Sequence, residues 1–258
     1  LKNNNADSTH IIYNDADLTT PFAYECGTED DGHGYTDAEL NGVPNTRALS
    51  DCVRIFYEVD YDIYTNKGSS TTSWITGNFN EVATMYNNES INYELSQINI
   101  ITSSSQQYSN QSSSGMLSQF QGRYGSFNGD LAQMVSYKSS GGIAAGFAGI
   151  CASNPDNSMC FSSINSTYST VPTYSWNIMV QTHELGHIHG SRHTHACVWN
   201  GNNTAIDGCA GSTEGSCSLP GYPSGGGTVM SYCHLQSVGI NLSLGFGTQP
   251  GNVIRDRV

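Results

Sequence analysis

Hydrophobic positions change period several times along the first 190 residues of this chain and lose any regular period afterwards. Residues 52–61 (CVRIFYEVDY) are rich in β-branched and aromatic side chains, which predicts a strand. Thr71 to Asn87 opens on Ser and Thr and brings Trp74, Phe79, Val82 and Tyr86 near one face, which predicts a helix. Residues 91–101 (INYELSQINII) alternate as a half-buried strand does, Ser114 to Phe127 reads as a second helix, and 131–137 and 142–150 read as two further strands. The predicted order is β-α-β-α-β-β. The run 142–150 (GIAAGFAGI) is built of small residues, as a strand is where another backbone must come close. Ser175 to His189 is the best-defined helix, with Trp176, Met179, Val180 and Leu185 as its apolar positions and Gly190 as its stop. Residues 194–258 hold four of the eight cysteines and many glycines, so a loop-rich, disulfide-stapled second lobe is expected after a first lobe of residues 1–193, the two forming one domain.

Composition narrows the function classes. Nine Lys and Arg against 22 Asp and Glu give a net charge of −13, a field that repels phosphate backbones and anionic lipid, so nucleic-acid and membrane-surface binding are poor expectations. Only 12% of residues are charged while Tyr reaches 15 and Gly 28, the balance of an extracellular globular protein rather than an acidic disordered one. No apolar run is long enough to span a bilayer. The even set of eight cysteines fits an oxidising compartment. Of the many pairings possible, Cys26–Cys52 and Cys151–Cys160 close short loops, and Cys197–Cys233 with Cys209–Cys217 complete the expected set. The start, Leu1-Lys2-Asn3, is neither an initiator Met nor an apolar leader, so a mature, secreted fragment is expected. A monomer is expected as well.

The chemistry concentrates in His183-Glu184-Leu185-Gly186-His187-Ile188-His189-Gly190-Ser191-Arg192-His193, which fits H-E-x-x-H-x-x-G-x-x-H at every fixed position. His183 and His187 stand at i and i+4, so both imidazoles leave one helical face and can share a tetrahedral Zn²⁺. Glu184 follows the first ligand by roughly 100° of helical rotation, close enough to serve as general base without itself binding the metal. Gly190 allows the tight backbone turn that returns His193 as third ligand. Three histidines with an open fourth position are the catalytic rather than the structural zinc pattern. His189 faces away from the ligand side, and the spacing selects His193 over His195. The acidic run Glu29-Asp30-Asp31 with Asp37 has the oxygen chemistry of a possible Ca²⁺ site, but no recognisable Ca²⁺-loop spacing.

With a second element, Thr228-Val229-Met230-Ser231-Tyr232, the sequence resembles the metzincin zinc endopeptidases, whose elongated zinc motif is followed by a Met-containing turn that Met230 matches. The run from His193 through Cys197, the cysteine-rich end and the stretch 245–252 (GFGTQPGN) resemble secreted bacterial relatives of the reprolysin (adamalysin) family. The resemblance implies an α+β metzincin-type catalytic domain: a mixed five-stranded sheet with helices above an active-site cleft, and a smaller lower lobe. It further implies that Gly142, Ile143, Ala144, Ala145 and Gly146 lie on a substrate-binding edge strand, that a propeptide is removed on activation, and that residues 231–244 wall the pocket beyond the scissile bond. That wall contains no Lys or Arg, which favours an apolar or small side chain there. Reprolysins usually carry Asp after the third zinc ligand, where this chain has Thr194, so a hydrogen bond to the lower lobe must be replaced or absent. Tyr232 stands where astacins and serralysins carry a tyrosine able to approach zinc and stabilise the oxyanion. The expected activity is therefore hydrolysis of protein or peptide substrates. The rivals are a non-catalytic adhesion module, which would have no need of Glu184, and a zinc amidase acting on cell-wall peptides.

Overall fold

The computed structural model describes residues 2–4, 9–11, 26–42, 52–109 and 111–258. A short antiparallel ladder of β1 (Lys2–Asn4) and β2 (Thr9–Ile11) precedes α1 (Asp37–Asn41). Then follow β3 (Cys52–Val59), α2 (Tyr61–Lys67), α3 (Thr71–Asn87), β4 (Asn92–Ile100), α4 (Ser113–Gln121), β5 (Leu131–Ser136), β6 (Gly142–Ala144), β7 (Met159–Ser163), α5 (Trp176–Ile188) and α6 (Thr248–Arg257).

Strands β3 to β7 form one mixed sheet in the order β4-β3-β5-β7-β6, parallel except for β6, which pairs antiparallel with β7 at the edge. The period-2 alternation of β3 sends Val53, Ile55, Tyr57 and Val59 to one face, where they pack with Ile75, Phe79 and Val82 of α3 and Ile178 and Leu185 of α5. Phe56 points the other way and joins Ala132, Met134, Met159 and Phe161 under Met116, Leu117 and Phe120 of α4. The sheet is thus sandwiched between helices, the architecture of a fold whose parallel strands are buried on both faces.

Helix α3 spans the residues its periodicity predicts. Helix α4 is shorter than the reading of 114–127, because Ser112 caps its start and Gly122 its end. The strand read over 142–150 is a strand only over Gly142–Ala144; Gly146 adopts φ +147°, open chiefly to glycine, and the chain leaves the sheet, so Ala145 and Gly146 are not part of the edge strand. Strands β1, β2 and β7 and helices α1, α2 and α6 stand beyond the reading. Residues 194–258 are mostly irregular, and α6 packs back on α1, with Leu40, Val198, Trp199 and Val253 sharing a small core.

The expected disulfides are corrected. The bonded pairs are Cys197–Cys217 and Cys209–Cys233, so Cys197–Cys233 and Cys209–Cys217 exchange partners. Neither Cys26–Cys52 nor Cys151–Cys160 forms. Cys160 points from β7 into the core toward Gln133, whereas Cys151 is exposed on a turn at φ +55°. Cys52 opens β3 and its thiol donates to Glu94, while Cys26 is held among the histidines of the zinc motif.

Candidate metal centre

Helix α5 begins after Ser175 and is buried along its whole length, with Trp176 Nε1 donating to the Ser163 carbonyl at 2.9 Å. Its burial sets it rigidly against the sheet, which fixes the two imidazoles it carries. At its end Gly190 takes φ +101°, Gly190 N–H donates to His187 O (2.7 Å) and Ser191 N–H to Gly186 O (3.1 Å). This closed turn delivers His193 to the other two.

The three Nε2 atoms converge: His187 Nε2 lies 3.1 Å from that of His183 and 3.1 Å from that of His193. Every Nδ1 faces an acceptor: Val229 O for His183 (2.8 Å), Ser191 O for His187 (2.7 Å) and Glu214 Oε1 for His193 (2.7 Å). A carbonyl or carboxylate only accepts, so each Nδ1 carries the proton and each Nε2 presents a lone pair to the others. Burial and the neighbouring imidazoles push His183 and His187 well below the ordinary histidine value, which keeps these rings neutral. Three converging lone pairs repel one another unless a cation lies between them. A tetrahedron with Zn–N arms of about 2.0–2.1 Å has edges of about 3.3–3.4 Å, close to the observed separations. The residues present therefore fit a zinc ion.

Cys26 is the member that the sequence did not reveal. Its Sγ lies 3.3 Å from His187 Nε2 and donates to Glu184 Oε2 at 3.3 Å, and its sulfur and the three ring nitrogens all lie within 4.8 Å of one another. Cys26 bridges in parallel to Gly142 on the free edge of β6, Gly27 N–H donates to Gly142 O (2.8 Å), and Ala144 N–H donates to Thr28 Oγ1 (2.8 Å). Tyr232 Oη accepts from Cys26 N–H (3.0 Å) and donates to Cys26 O (3.1 Å). Beyond it, Asp30 and Asp31 pair with the Arg192 guanidinium, which also lies over the Tyr35 and Phe147 rings, and Tyr35 Oη donates to Gly190 O at 2.7 Å. Residues 26–36 thus form a strap across the site. Of the acidic residues considered for Ca²⁺, Asp30 and Asp31 thus face a guanidinium.

Glu184 is fully buried, and burial drives its carboxyl up to about 8, against hydrogen bonds from Cys26 and Thr28 that pull it down. Its Oε1 has no partner among the described residues. Met230 lies beneath the helix where a Gly186 side chain would otherwise stand. The departure at Thr194 is made good locally: Thr194 N–H donates to Met230 O at 3.1 Å and its hydroxyl reaches the same carbonyl at 3.4 Å. His189 is apart from the cluster, its Nδ1 donating to Leu185 O. His195 stacks on His193 with centroids 4.9 Å apart and places Nε2 3.3 Å from Glu214 Oε1. Burial alone would raise Glu214, but hydrogen bonds from His193 and His195 hold its carboxyl down at about 2. The sequence reading missed Glu214; its one visible signal is that it is the sole acidic residue between Asp207 and Asp256.

No curated protein matches the sequence. Among solved structures, metalloproteinase-II from Bacteroides fragilis is similar at 14% identity and a TM-score of 0.37, covering 63% of this chain and 51% of that one. The chain therefore spans about half the length of that structure. Among the described residues no helix is long and apolar enough to cross a membrane. The model Reprolysin_5 of the metallo-peptidase family M12 matches residues 50–239, well over half of the chain, and the chain belongs to that family.

Proposed function

We propose that this chain is a secreted zinc endopeptidase held in a latent state. The observation that carries this reading is the convergence of His183, His187 and His193 beside a buried glutamate, with the Cys26 thiol at the fourth corner. Two disulfides are consistent with export. Bound at the three Nε2 atoms, zinc would supply a Lewis acid that lowers the pKa of water and polarises a carbonyl.

The protein's own groups do the rest. Glu184 takes a proton from the attacking water as the C–O bond forms, and passes it to the amine nitrogen as the C–N bond breaks. The free edge of β6 aligns an extended peptide in the cleft between residues 1–193 and 194–258. Tyr232, once released from the Cys26 backbone, donates to the oxygen that gains charge, a contribution whose loss in other enzymes costs about 10²-fold or more in rate. Trp176, Met179 and Val180 of α5, with His234 beyond the Met-turn, line a small cavity beside His183 that takes an apolar or small side chain.

Strap and substrate compete for the same edge and the same fourth position, so activity requires displacement or removal of the segment around Cys26. Zinc content and casein hydrolysis, measured before and after chelation and zinc restoration, test the reading, with Glu184→Ala as the control. One zinc per chain with chelator-reversible cleavage, higher in Cys26→Ala and absent in Glu184→Ala, is expected. Zinc-loaded Cys26→Ala protein that cleaves neither casein nor a peptide library defeats the reading. Release of peptides from peptidoglycan in place of casein cleavage would shift it to a cell-wall amidase.

A further inference from the structure

Two of the three histidines are oriented by backbone carbonyls, which any sequence would supply; the third is oriented by a side chain. Glu214 Oε1 accepts from His193 Nδ1 at 2.7 Å and lies 3.3 Å from His195 Nε2, while Oε2 is buried and has no partner among the described residues. No Lys or Arg of the described residues pairs with this carboxylate. The carboxylate's charge therefore acts on the two imidazoles alone, and His193 is the nearer of them.

The backbone that presents it is held firmly. Glu214 N–H donates to His195 O (3.1 Å), Cys197 N–H donates to Glu214 O (2.8 Å), and the Cys197–Cys217 disulfide closes the loop around it. Thr213 Oγ1 ties the turn further, its one O–H within reach of the carbonyls of Cys217 (3.2 Å) and Gly215 (3.3 Å). The stapled loop therefore delivers one carboxylate to one ring nitrogen.

We infer that Glu214 is a positioning residue of the metal centre: it holds the His193 ring in the orientation and tautomer that binds metal and makes that ring the most electron-rich of the three. This rests on the zinc reading above. The carboxylate's charge reaches the metal through the imidazole, so Glu214 sets metal affinity even though it does not touch the ion. His195 stacks flat on His193 and shares the same oxygen, which fixes the carboxylate from the other side.

The test is zinc affinity of the full chain, measured by competition with a chromophoric chelator, together with the visible spectrum of the cobalt-substituted protein. Glu214→Ala is expected to weaken zinc binding by about 10–100-fold. Glu214→Gln retains an acceptor oxygen but not the charge, so a smaller loss is expected, with an altered cobalt spectrum and an unchanged melting temperature of the metal-free protein. Thr213→Ala loosens the same turn but leaves the carboxylate in place, so it should lose less zinc affinity than Glu214→Ala. The inference is overturned if both Glu214 variants bind zinc within about twofold of the parent, or if Thr213→Ala loses as much as Glu214→Ala. A parent that binds no stoichiometric zinc would instead defeat the underlying zinc reading.

Discussion

Gly142 offers a sharp test of how Glu184 is placed. A Cβ at this position would lie 2.5 Å from Glu184 Oε1, 2.6 Å from Cγ and 2.7 Å from Cδ, where ordinary contacts are about 3.5–4.0 Å. Gly142 has no positive φ, and its pairing with Ser162 uses backbone groups that alanine keeps. The penalty in Gly142→Ala therefore falls on the glutamate, which must retreat by about 1 Å on a helix that is itself buried. Displacement of a reacting group by that much costs about 10²-fold in rate, equivalent to roughly 2.7 kcal/mol. The overpacking itself costs about 1–3 kcal/mol of stability. In a Cys26→Ala background, peptide hydrolysis should show kcat down by about two orders of magnitude, with zinc content little changed. A Gly142→Ala protein that turns over within about threefold of its parent would show that Glu184 does not act from this position.

Other consequences are open to measurement. Gly186→Ala gains about 1 kcal/mol of helix propensity, but its Cβ would sit 2.8 Å from Met230 Sδ and 2.9 Å from Phe246 Cε1, an overpacking of about 1–3 kcal/mol. Urea unfolding should therefore find the variant less stable, and a gain would contradict the packing. Burial pulls the Asp31 carboxyl up, but the hydrogen bond and charge of Arg192 bring it net below the ordinary value. A depressed carboxyl favours the docked strap at neutral pH, and that contribution is lost as pH falls through the lowered value. Labelling of Cys26 by a dithiopyridine reagent should accelerate in that acid range, and Asp31→Asn should label faster already at neutral pH; a rate independent of both would remove the ion pair from the latch. Zinc supplied at about 100 times its Kd should add about 2.7 kcal/mol to the stability of the metal-free chain, and an unchanged melting temperature would mean that the folded state gains nothing by binding it.

What could be read in advance was local. The zinc motif is a short stretch whose helical spacing alone brings two imidazoles to one face, and Thr71 to Asn87 carries its own periodicity and ends. Strand β7 (MCFSS) escaped because it is buried on both faces, so it shows no alternation, and its two serines look like surface. In the fold Ser162 Oγ accepts from Gln133 and Ser163 Oγ donates to Ser139 O, which makes their burial affordable in hydrogen-bonding terms. Helix α6 contains Pro250 and Gly251 and has little intrinsic helicity. It is held by tertiary contacts, Val253 in the small core and Arg257 against Glu39. The site residues that went unread were the distant ones. Cys26 meets Glu184 across 158 positions and Glu214 meets His193 across 21, and no local pattern encodes either meeting. The short-loop disulfides failed for the same reason: nearness along the chain set the expectation, while the sheet carried Cys160 inward and left Cys151 outside.

The two disulfides interleave, since Cys209 lies inside the loop closed by Cys197 and Cys217, and Cys217 lies inside the loop closed by Cys209 and Cys233. Break the backbone once at any bond from Cys197 to Cys233 and at least one bridge still joins the two fragments. This stretch includes the exposed Leu219 and Tyr222, an inviting place for a protease to cut. A molecule clipped here keeps Met230 tethered beneath the histidines and retains a route to staying folded.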